Sequence, residues 1–246
     1  MQNYNYAYNV FKKHFDRAKA KSGFVSLELG VGDSLSSAII SYAFGGSASY
    51  LVDVGDFAQK DIEMYKALLL FLDQKGLPVQ DLQNLESLPD ILNECSANYL
   101  TSGLSSLKAI PDQSVDFIWS HAVLEHIRRG EFLDTFKELR RVIRDDGICS
   151  HEIDLKDHLA KGLNNLRFPE QIWESDFMSR SGFYTNRIQY TEMISLFKMA
   201  DFDVEVVEAN RWPDLPIKRA NLSKLFQHLP DEELCVSEFS VILKPV

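Results

Sequence analysis

The sequence predicts one α/β domain with a mostly parallel sheet that helices cover on both faces. Short apolar strands alternate with stretches of helical periodicity through more than half of the chain, which is typical of βαβ units. The chain has 246 residues, of which 45% are hydrophobic, and no internal repeat or Pro/Gly-rich linker divides it. We therefore expect a single domain over 1–246, with a core large enough to need no disulfides.

The elements follow from periodicity and from their end signals. An amphipathic helix is expected over 6–21, because its apolar residues recur at helical spacing. The strands that follow are predicted at 24–29, 49–52, 115–120 and 147–153, and the helices at 35–44, 61–72 and 131–143. Asp33 or Ser34 is expected to cap the helix that begins at Leu35. A helix over 190–200 and strands at 202–209 and 239–243 complete the chain, and this closing strand pair is typical of a hairpin.

Two stretches depart from the alternation. Residues 77–98 are polar and lack a clear period beyond a helix around 82–92, so they are interpreted as an insertion. Residues 155–185 contain Gly162, Pro169 and several aromatic residues, too many turn formers for one regular element. The second stretch is predicted to form a lid or a substrate loop.

Charge and composition exclude several partners. The chain has 26 Lys+Arg against 36 Asp+Glu, a net charge of −10, which would repel nucleic acid and anionic membrane surfaces. The three cysteines show no CxxC or Cys/His spacing, so reduced, buried thiols and no metal site are expected. Met1–Tyr8 lacks the basic-then-apolar pattern of a secretory signal, and no apolar run is long enough to span a membrane. These features favour the cytoplasm.

The first predicted strand ends in a glycine turn. Gly30 and Gly32 allow a tight turn and the close approach of a ligand, and the next helix offers unpaired N–H groups. Asp53 ends the next strand, at a spacing that suits a carboxylate bound to both ribose hydroxyls. Because ligands of open α/β sheets bind beyond the carboxyl ends of the strands, this turn predicts a nucleoside-containing cofactor.

Leu35 and Glu28 help to distinguish a dinucleotide from other nucleoside-containing cofactors. A dinucleotide turn, G-x-G-x-x-G, would place its third glycine at Leu35. Glu28 would repel a diphosphate, whereas it would stabilise an ammonium group. A nicotinamide-dependent oxidoreductase is therefore the weaker alternative.

Several segments resemble motifs of the class I S-adenosylmethionine-dependent methyltransferases. The glycine turn is similar to their E/D-x-G-x-G signature, and Asp53 matches their ribose-binding acid. The other matching segments are Ile110–Ile118, Ser120–His126 and Leu139–Gly147, within a resemblance that spans Phe24–Ile153. The resemblance implies a Rossmann-like, seven-stranded, mostly parallel sheet with an antiparallel last strand, and S-adenosylmethionine as cofactor.

The resemblance also implies a set of cofactor contacts. These are expected from Glu28, Gly30, Gly32, Ser34, Asp53, Leu104, Ser105, Ser120 and His121. Ser34 replaces the family's third glycine, and no acidic residue stands near the adenine site in Gly103–Ser106. A non-catalytic relative that keeps the fold as a binding module therefore remains an alternative.

Catalytic candidates follow the fifth strand of the resemblance. His158 beside Asp157 is the expected base with an orienting carboxylate, and His151 is a further candidate. Strand alternation would place His151 and Ile153 on one face, with Glu152 and Asp154 on the other. Such bases suit a hydroxyl, so the predicted acceptor is a small molecule, a sugar or a polar metabolite.

Overall fold

The computed structural model describes residues 4–246, so the first three residues of Met1–Tyr8 lie outside the described residues. Seven strands form one sheet in the order β3-β2-β1-β4-β5-β7-β6. β7 is antiparallel to both β5 and β6, and the other pairs are parallel. The predicted fold class is confirmed. The strands are β1 Val25–Leu29, β2 Ala48–Val52, β3 Ala97–Leu100, β4 Val115–His121, β5 Ile143–Asp154, β6 Phe202–Arg211 and β7 Val236–Pro245.

Helices cover both faces of this sheet. They are α1 Tyr4–Ala18, α2 Ser36–Ala43, α3 Ile62–Gln74, α4 Leu88–Glu94, α5 Leu104–Leu107, α6 Phe132–Val142, α7 Glu170–Trp173, α8 Asp176–Ser179, α9 Tyr190–Met199 and α10 Asp231–Leu234. Alternation along β4 assigns the faces, because Phe117 and Trp119 pack with α1, α2 and α3 while Ile118 packs with α6 and α9. Burial of these two apolar layers is the main force that stabilises the fold.

The start of α2 differs from the expected cap. Its N-cap position is Leu35, which has no side-chain cap. The Leu35 N–H donates to the Tyr65 hydroxyl at 3.2 Å, and Ser34 Oγ accepts the Ser36 N–H at 3.2 Å. The hydroxyls of Tyr65 and Ser34 thus accept the first backbone N–H groups of α2, and Asp33 does not cap the helix.

The stretch 77–98 is the crossover from α3 to the third strand. It contains a 3-10 turn at Gln80–Leu82 and α4, which Ser87 caps through the Asp90 N–H. β3 begins at its end and pairs with β2 from Ser49↔Ala97 onward. The sequence pattern missed this strand because it is a short edge strand of four half-exposed residues.

β5 and the closing strand pair differ in detail from the expected elements. β5 begins at Ile143, before the strand predicted at 147–153, and its register with β4 shifts near its start. A side chain on Gly147 would come within 2.6 Å of Ile143 Cγ1, so the bulge needs glycine. β6 and β7 pair directly, but residues 212–235 join them and bury Leu222 and Phe226 against the 155–185 segment. The expected pairing of the two closing strands is therefore confirmed, with a long connection between them.

The segment 155–185 is built from short helices. It contains a 3-10 turn at Asn164–Arg167, then α7 and α8. Trp173 is buried, and its indole N–H donates to the Thr185 carbonyl at 2.7 Å. Within residues 4–246, no helix combines the length and the apolar character that a bilayer crossing requires.

Candidate cofactor and acceptor site

Two cavities lie at the carboxyl ends of β1 and β4. The smaller one, of about 220 Å³, lies under α1 and includes Glu28, Ser34 and Ser37 in its wall. The larger one, of about 540 Å³, extends from Asp53 across Leu104 and towards α6. Gly30 and His121 line both cavities. The position matches the crevice where open α/β sheets bind ligands.

The glycine turn requires glycine at two positions for different reasons. Gly30 has φ +72° and Gly32 has φ +67°, a region that other residues seldom adopt. A Cβ on Gly30 would also lie 2.3 Å from Val123 Cγ2, whereas Gly32 faces open space. Gly30 therefore sets the packing of the turn on the β4 end, and Gly32 keeps the cavity clear.

Asp53 is held in a fixed orientation at the end of β2. Its Oδ2 accepts the Gly32 N–H at 2.9 Å, and its Oδ1 accepts the Val54 N–H at 2.7 Å. The side chain is buried yet lines the larger cavity. Each carboxylate oxygen can accept a further hydrogen bond, so the group fits a pair of ribose hydroxyls.

Glu28 is a buried carboxyl in the wall of the smaller cavity. Burial raises its pKa to about 8, nearby Asp53 raises it as well, and the Ser37 hydroxyl, which donates to Glu28 Oε2, lowers it. An ammonium group in this cavity would favour the ionised form. Together with Asp53 and the glycine turn, this carboxyl fits the amino-acid end of S-adenosylmethionine.

The remaining expected cofactor residues divide into two groups. Ser34 lines the smaller cavity, and Leu104 lines the larger one together with Gly103. Ser105 is exposed and is absent from both walls as described for residues 4–246. Ser120 is fully buried and contacts His151 Nδ1 through its hydroxyl at 2.7 Å. Ser105 and Ser120 therefore do not face the site as expected.

The β4–β5 pair presents different chemistry on its two faces. Ser120 is in register with His151, and His121 with Glu152, so the two pairs point to opposite faces. His151 is fully buried, packs 5.6 Å from the Phe136 ring centroid, and has its pKa lowered to about 3 by burial. This geometry makes His151 a packing residue under α6, contrary to its expected catalytic place.

On the other face, His121 Nδ1 lies 3.1 Å from Glu152 Oε2. Lys13 of α1 donates to both oxygens of Glu152, at 2.7 and 2.8 Å. The hydrogen bond with His121 is the main cause that lowers the pKa of Glu152 to about 2, and the bond from Lys13 adds to it. Glu152 is thus a firmly ionised carboxylate beside the cavities.

Asp157 anchors the loop that carries His158. Its carboxylate accepts backbone N–H groups from four residues of that loop, which are Leu159, Ala160, Gly162 and Asn164. These bonds occupy both oxygens, and the side chain is buried. Asp157 therefore shapes the loop, and the partner of His158 is another residue.

That partner is His126, whose Nε2 lies 3.2 Å from His158 Nε2. A carbonyl only accepts, so His126 Nδ1–H donates to the Tyr184 carbonyl at 2.8 Å. Burial lowers the pKa of His126 and favours its neutral form. Its Nε2 then accepts the N–H of His158, which leaves the lone pair of neutral His158 on Nδ1.

Several site residues could not be found from local sequence patterns. Tyr4 and Tyr6 line the smaller cavity because α1 folds over the sheet, a contact without a local signal. Arg128 and Ser179 line the larger cavity, and the Arg128 guanidinium donates to Ser179 Oγ at 2.5 Å. The position of Arg128 shortly after the end of β4 is the one sequence feature by which it could have been found.

Comparison with known proteins adds a family-level match. A family model described as a methyltransferase domain matches residues 78–150, a segment that runs from the β2–β3 crossover into β5 and lies beyond the glycine turn and Asp53. No curated protein matches the sequence.

Solved structures share the fold at low sequence identity. The YcgJ protein of Bacillus subtilis is 16% identical with a TM-score of 0.52, over 97% of this chain and 99% of that one. An arsenic(III) S-adenosylmethionine methyltransferase of Chlamydomonas reinhardtii is 15% identical with a TM-score of 0.52, over 90% of this chain and 63% of that one.

A third structure contains ligands. It is a phosphoethanolamine N-methyltransferase of Haemonchus contortus in complex with phosphomonomethylethanolamine and S-adenosylhomocysteine. It is 14% identical with a TM-score of 0.53, and the match covers 97% of this chain but 53% of that one. The family-model match and the shared fold confirm the resemblance that the motifs indicate, to the class I S-adenosylmethionine-dependent methyltransferases.

Proposed function

We propose that the protein transfers a methyl group from S-adenosylmethionine to a hydroxyl of a small polar molecule, such as a sugar. The observation that carries this proposal is the convergence of Gly30, Glu28 and Asp53 on adjoining cavities at the ends of β1 and β2. A glycine turn, a ribose acceptor and an ammonium acceptor match the three parts of this cofactor that a protein must hold.

The chain's own groups have distinct roles in this proposal. Asp53 accepts hydrogen bonds from the ribose hydroxyls, and Glu28 in its ionised form pairs with the cofactor's ammonium group. Leu104, in the wall of the larger cavity, would contact the adenine, and Ser34 and His121 would contact the part of the cofactor held in the smaller cavity. The cofactor, when bound, supplies a methyl group activated on a sulfonium, so the protein mainly orients the two reactants.

The acceptor is assigned to the larger cavity, under the 155–185 segment. Its far wall carries polar groups, namely Arg128, Glu131, Thr135 and Ser179. Ser179 ends α8, so the segment contributes directly to this wall. The volume of about 540 Å³ has to hold the ribose and adenine of the cofactor as well as the acceptor, which leaves room only for a small acceptor. These features favour a polar acceptor of modest size.

His158 is proposed as the base that takes the proton of the acceptor hydroxyl. It is exposed and does not line the larger cavity itself, but it contacts His126, which does. Its Nδ1 carries the lone pair because His126 accepts the N–H on the other nitrogen. His126, which lines the larger cavity, is a positioning residue that fixes this tautomer through its bond to Tyr184. The arrangement follows the logic of a base held by an orienting partner.

The oxidoreductase alternative is disfavoured by two features. The third glycine position of a dinucleotide turn is taken by Leu35, which is buried. The antiparallel β7 lies between β5 and β6, whereas dinucleotide-binding sheets have the parallel order 3-2-1-4-5-6.

The cysteines disfavour a metalloid as the methyl acceptor. All three are buried and have raised pKa values, so they offer no reactive thiolate that would bind a metalloid.

Calorimetric titration of the full chain with S-adenosylmethionine, S-adenosylhomocysteine and NAD⁺ tests the cofactor. Binding of the first two at micromolar concentrations and not of NAD⁺ is expected. Binding of NAD⁺ alone would support the oxidoreductase, and no binding of any would support a non-catalytic module. Either outcome would overturn the proposal.

The acceptor and the base are tested together with labelled S-adenosylmethionine and a library of hydroxylated metabolites. Once an acceptor is found, His158→Asn should lower turnover by about 10²–10⁴-fold and leave cofactor affinity unchanged. His228→Asn, at an exposed histidine away from the larger cavity, is the matched control. Full turnover in His158→Asn would remove His158 from the mechanism.

A further inference from the structure

A second cluster lies on the cavity-facing side of β4 and β5, and it is separate from the His126–His158 pair. His14 of α1, His121 at the end of β4 and Glu152 of β5 each offer one ligand atom, and these three atoms lie within 4.8 Å of one another. The cluster joins a helix at the start of the chain to two strands more than a hundred residues away.

Strand register and helix docking create this cluster. His121 and Glu152 are in-register partners on parallel strands, so their side chains share one face. His14 lies over the same face, since its Nδ1 is 2.8 Å from the hydroxyl of Ser150, two residues before Glu152. The His14 ring also packs 5.3 Å from the Trp119 ring centroid, and these contacts hold it in one orientation.

The unsatisfied atom of the cluster is His14 Nε2. His14 is fully buried, and its Nε2 has no hydrogen-bond partner within residues 4–246. When its Nδ1–H donates to Ser150, the lone pair stands on Nε2. A buried acceptor without a partner is costly, and metal-binding histidines are oriented in this way by a bond at their other nitrogen.

We propose that His14, His121 and Glu152 bind a divalent transition-metal ion of the Zn²⁺ type between α1 and the ends of β4 and β5. Two imidazole nitrogens and one carboxylate oxygen form a donor set that suits Zn²⁺ and its first-row neighbours better than Mg²⁺ or Ca²⁺. The cluster lies at the site, because His121 lines both cavities.

Three protein ligands leave a coordination position free for water or for an oxygen of the acceptor. The inference stands apart from the proposed cofactor, because it rests on α1, β4 and β5 rather than on the glycine turn. Metal binding can therefore succeed or fail whatever the cofactor titration gives.

Lys13 is the cation that a metal ion would displace. It contacts both oxygens of Glu152 at 2.7 and 2.8 Å, and its side chain is 42% exposed, so it can turn into solvent. Because Lys13 competes for the same carboxylate, its removal by Lys13→Met should tighten metal binding, by roughly fivefold for one unit charge at this range. If Lys13 only held α1 against the sheet, Lys13→Met would not tighten metal binding.

The test is a titration of the full chain, stripped with a chelator, with Zn²⁺ against a chromophoric competitor, and with Co²⁺ by visible absorption. One equivalent at micromolar affinity or better is expected. His121→Ala and Glu152→Gln should each weaken Zn²⁺ binding by more than about 100-fold, since even outer-shell partners are worth about 10–100-fold. His14→Gln tests the third ligand, and circular dichroism confirms that this variant is folded. His228→Ala is the control.

Three outcomes would overturn the inference. The first is the absence of Zn²⁺ binding at micromolar concentrations in the unaltered chain. The second is unchanged affinity in both His121→Ala and Glu152→Gln, which are partly exposed positions where folding should persist. The third is loss of binding in His158→Ala but not in His121→Ala, which would assign the ion to the other histidine pair.

Discussion

The β4–β5 strand pair carries two histidines whose surroundings differ completely. His151 lies under α6, fully buried and hydrogen-bonded to Ser120. His121, on the opposite face, lines two cavities and is bonded to Glu152. The residue type is the same, and the strands and their depth in the sheet are similar. The comparison teaches that the face of a strand, rather than the residue type, decides whether a histidine packs or binds.

The same contrast recurs in two other matched pairs. Gly30 faces the Val123 side chain, while Gly32 faces open space. Glu125 is buried and lines neither of the two cavities, while Glu28 lines the smaller one. Each pair therefore offers one variant that should affect stability and one that should affect binding.

The free energy of unfolding should differ most between the variants of His151 and His121. His151→Ala removes a buried ring and leaves the Ser120 hydroxyl unpaired, so we expect a loss of about 3–5 kcal/mol in the free energy of unfolding. His121→Ala, at a partly exposed position, should cost less than about 1 kcal/mol. Urea denaturation measures both. Equal losses would show that the two faces are not different environments.

The variants of Gly30 and Gly32 should show the next largest difference in stability. Gly30→Ala combines an unfavourable φ with a clash against Val123, at about 2–4 kcal/mol in total, whereas Gly32→Ala carries the φ cost of about 1 kcal/mol alone. The double variant Gly30→Ala/Val123→Ala should recover part of the loss, because it removes the clashing methyl groups. Thermal unfolding tests this, and the absence of any recovery would argue against the packing of the turn on Val123.

The two buried glutamates predict a pH dependence. Burial raises the pKa of Glu28 and of Glu125 to about 8, above the ordinary value near 4.5 in both cases. The folded state thus holds protons that the unfolded state releases, so their contribution is present below pH 4.5 and is lost as the pH rises towards 8.

Replacement by glutamine removes this loss. Glu125→Gln and Glu28→Gln should each stabilise the protein at pH 8, on the order of 2 kcal/mol, and have little effect at pH 4.5. Only Glu28→Gln should weaken S-adenosylmethionine binding, by roughly tenfold or more, since it lacks the charge that pairs with an ammonium group. Equal effects of both variants on affinity would contradict the assignment of Glu28.

The smallest expected difference is between two lysines of α1. Lys13 forms an ion pair between α1 and Glu152 of β5, whereas Lys12 pairs with Asp16 on the exposed side of its own helix. Lys13→Ala should cost about 0.5–1 kcal/mol and Lys12→Ala close to zero, as exposed pairs contribute little. Chemical denaturation at low and high salt measures this, and a larger cost for Lys12→Ala would place the docking of α1 elsewhere.

Most of the residues expected to contact a cofactor line the two cavities, whereas the catalytic candidates His151, Asp157 and His158 line neither of them. Gly30, Gly32 and Asp53 lie in one βαβ unit, and the pairing of the adjacent parallel strands β1 and β2 brings their carboxyl ends together, so their local pattern is sufficient. Alternation also placed His151 and Glu152 on opposite faces of β5, and the structure agrees. Alternation cannot tell which face meets a cavity, because that depends on where α1 and α6 dock.

The rest of the site depends on contacts between distant segments. The contact between His126 and His158 joins residues 32 positions apart along the chain and depends on how the 155–185 segment folds back over the sheet. His14 lies 136 positions from Ser150 and carries no local signal of that contact. Asp157 was assigned to His158 because they are adjacent, but its carboxylate satisfies four backbone N–H groups of its own loop.

The central claim is that Asp53 and the glycine turn bind S-adenosylmethionine, and calorimetric titration of Asp53→Ala against Asp56→Ala tests it most directly. Asp56 is a good control because it lies in the same loop and pairs with Lys60 on the surface. We predict that Asp53→Ala weakens binding of S-adenosylmethionine and S-adenosylhomocysteine by roughly 10- to 100-fold, and that Asp56→Ala leaves both affinities unchanged. Unchanged affinity in Asp53→Ala, in a protein that binds the cofactor, would contradict the claim.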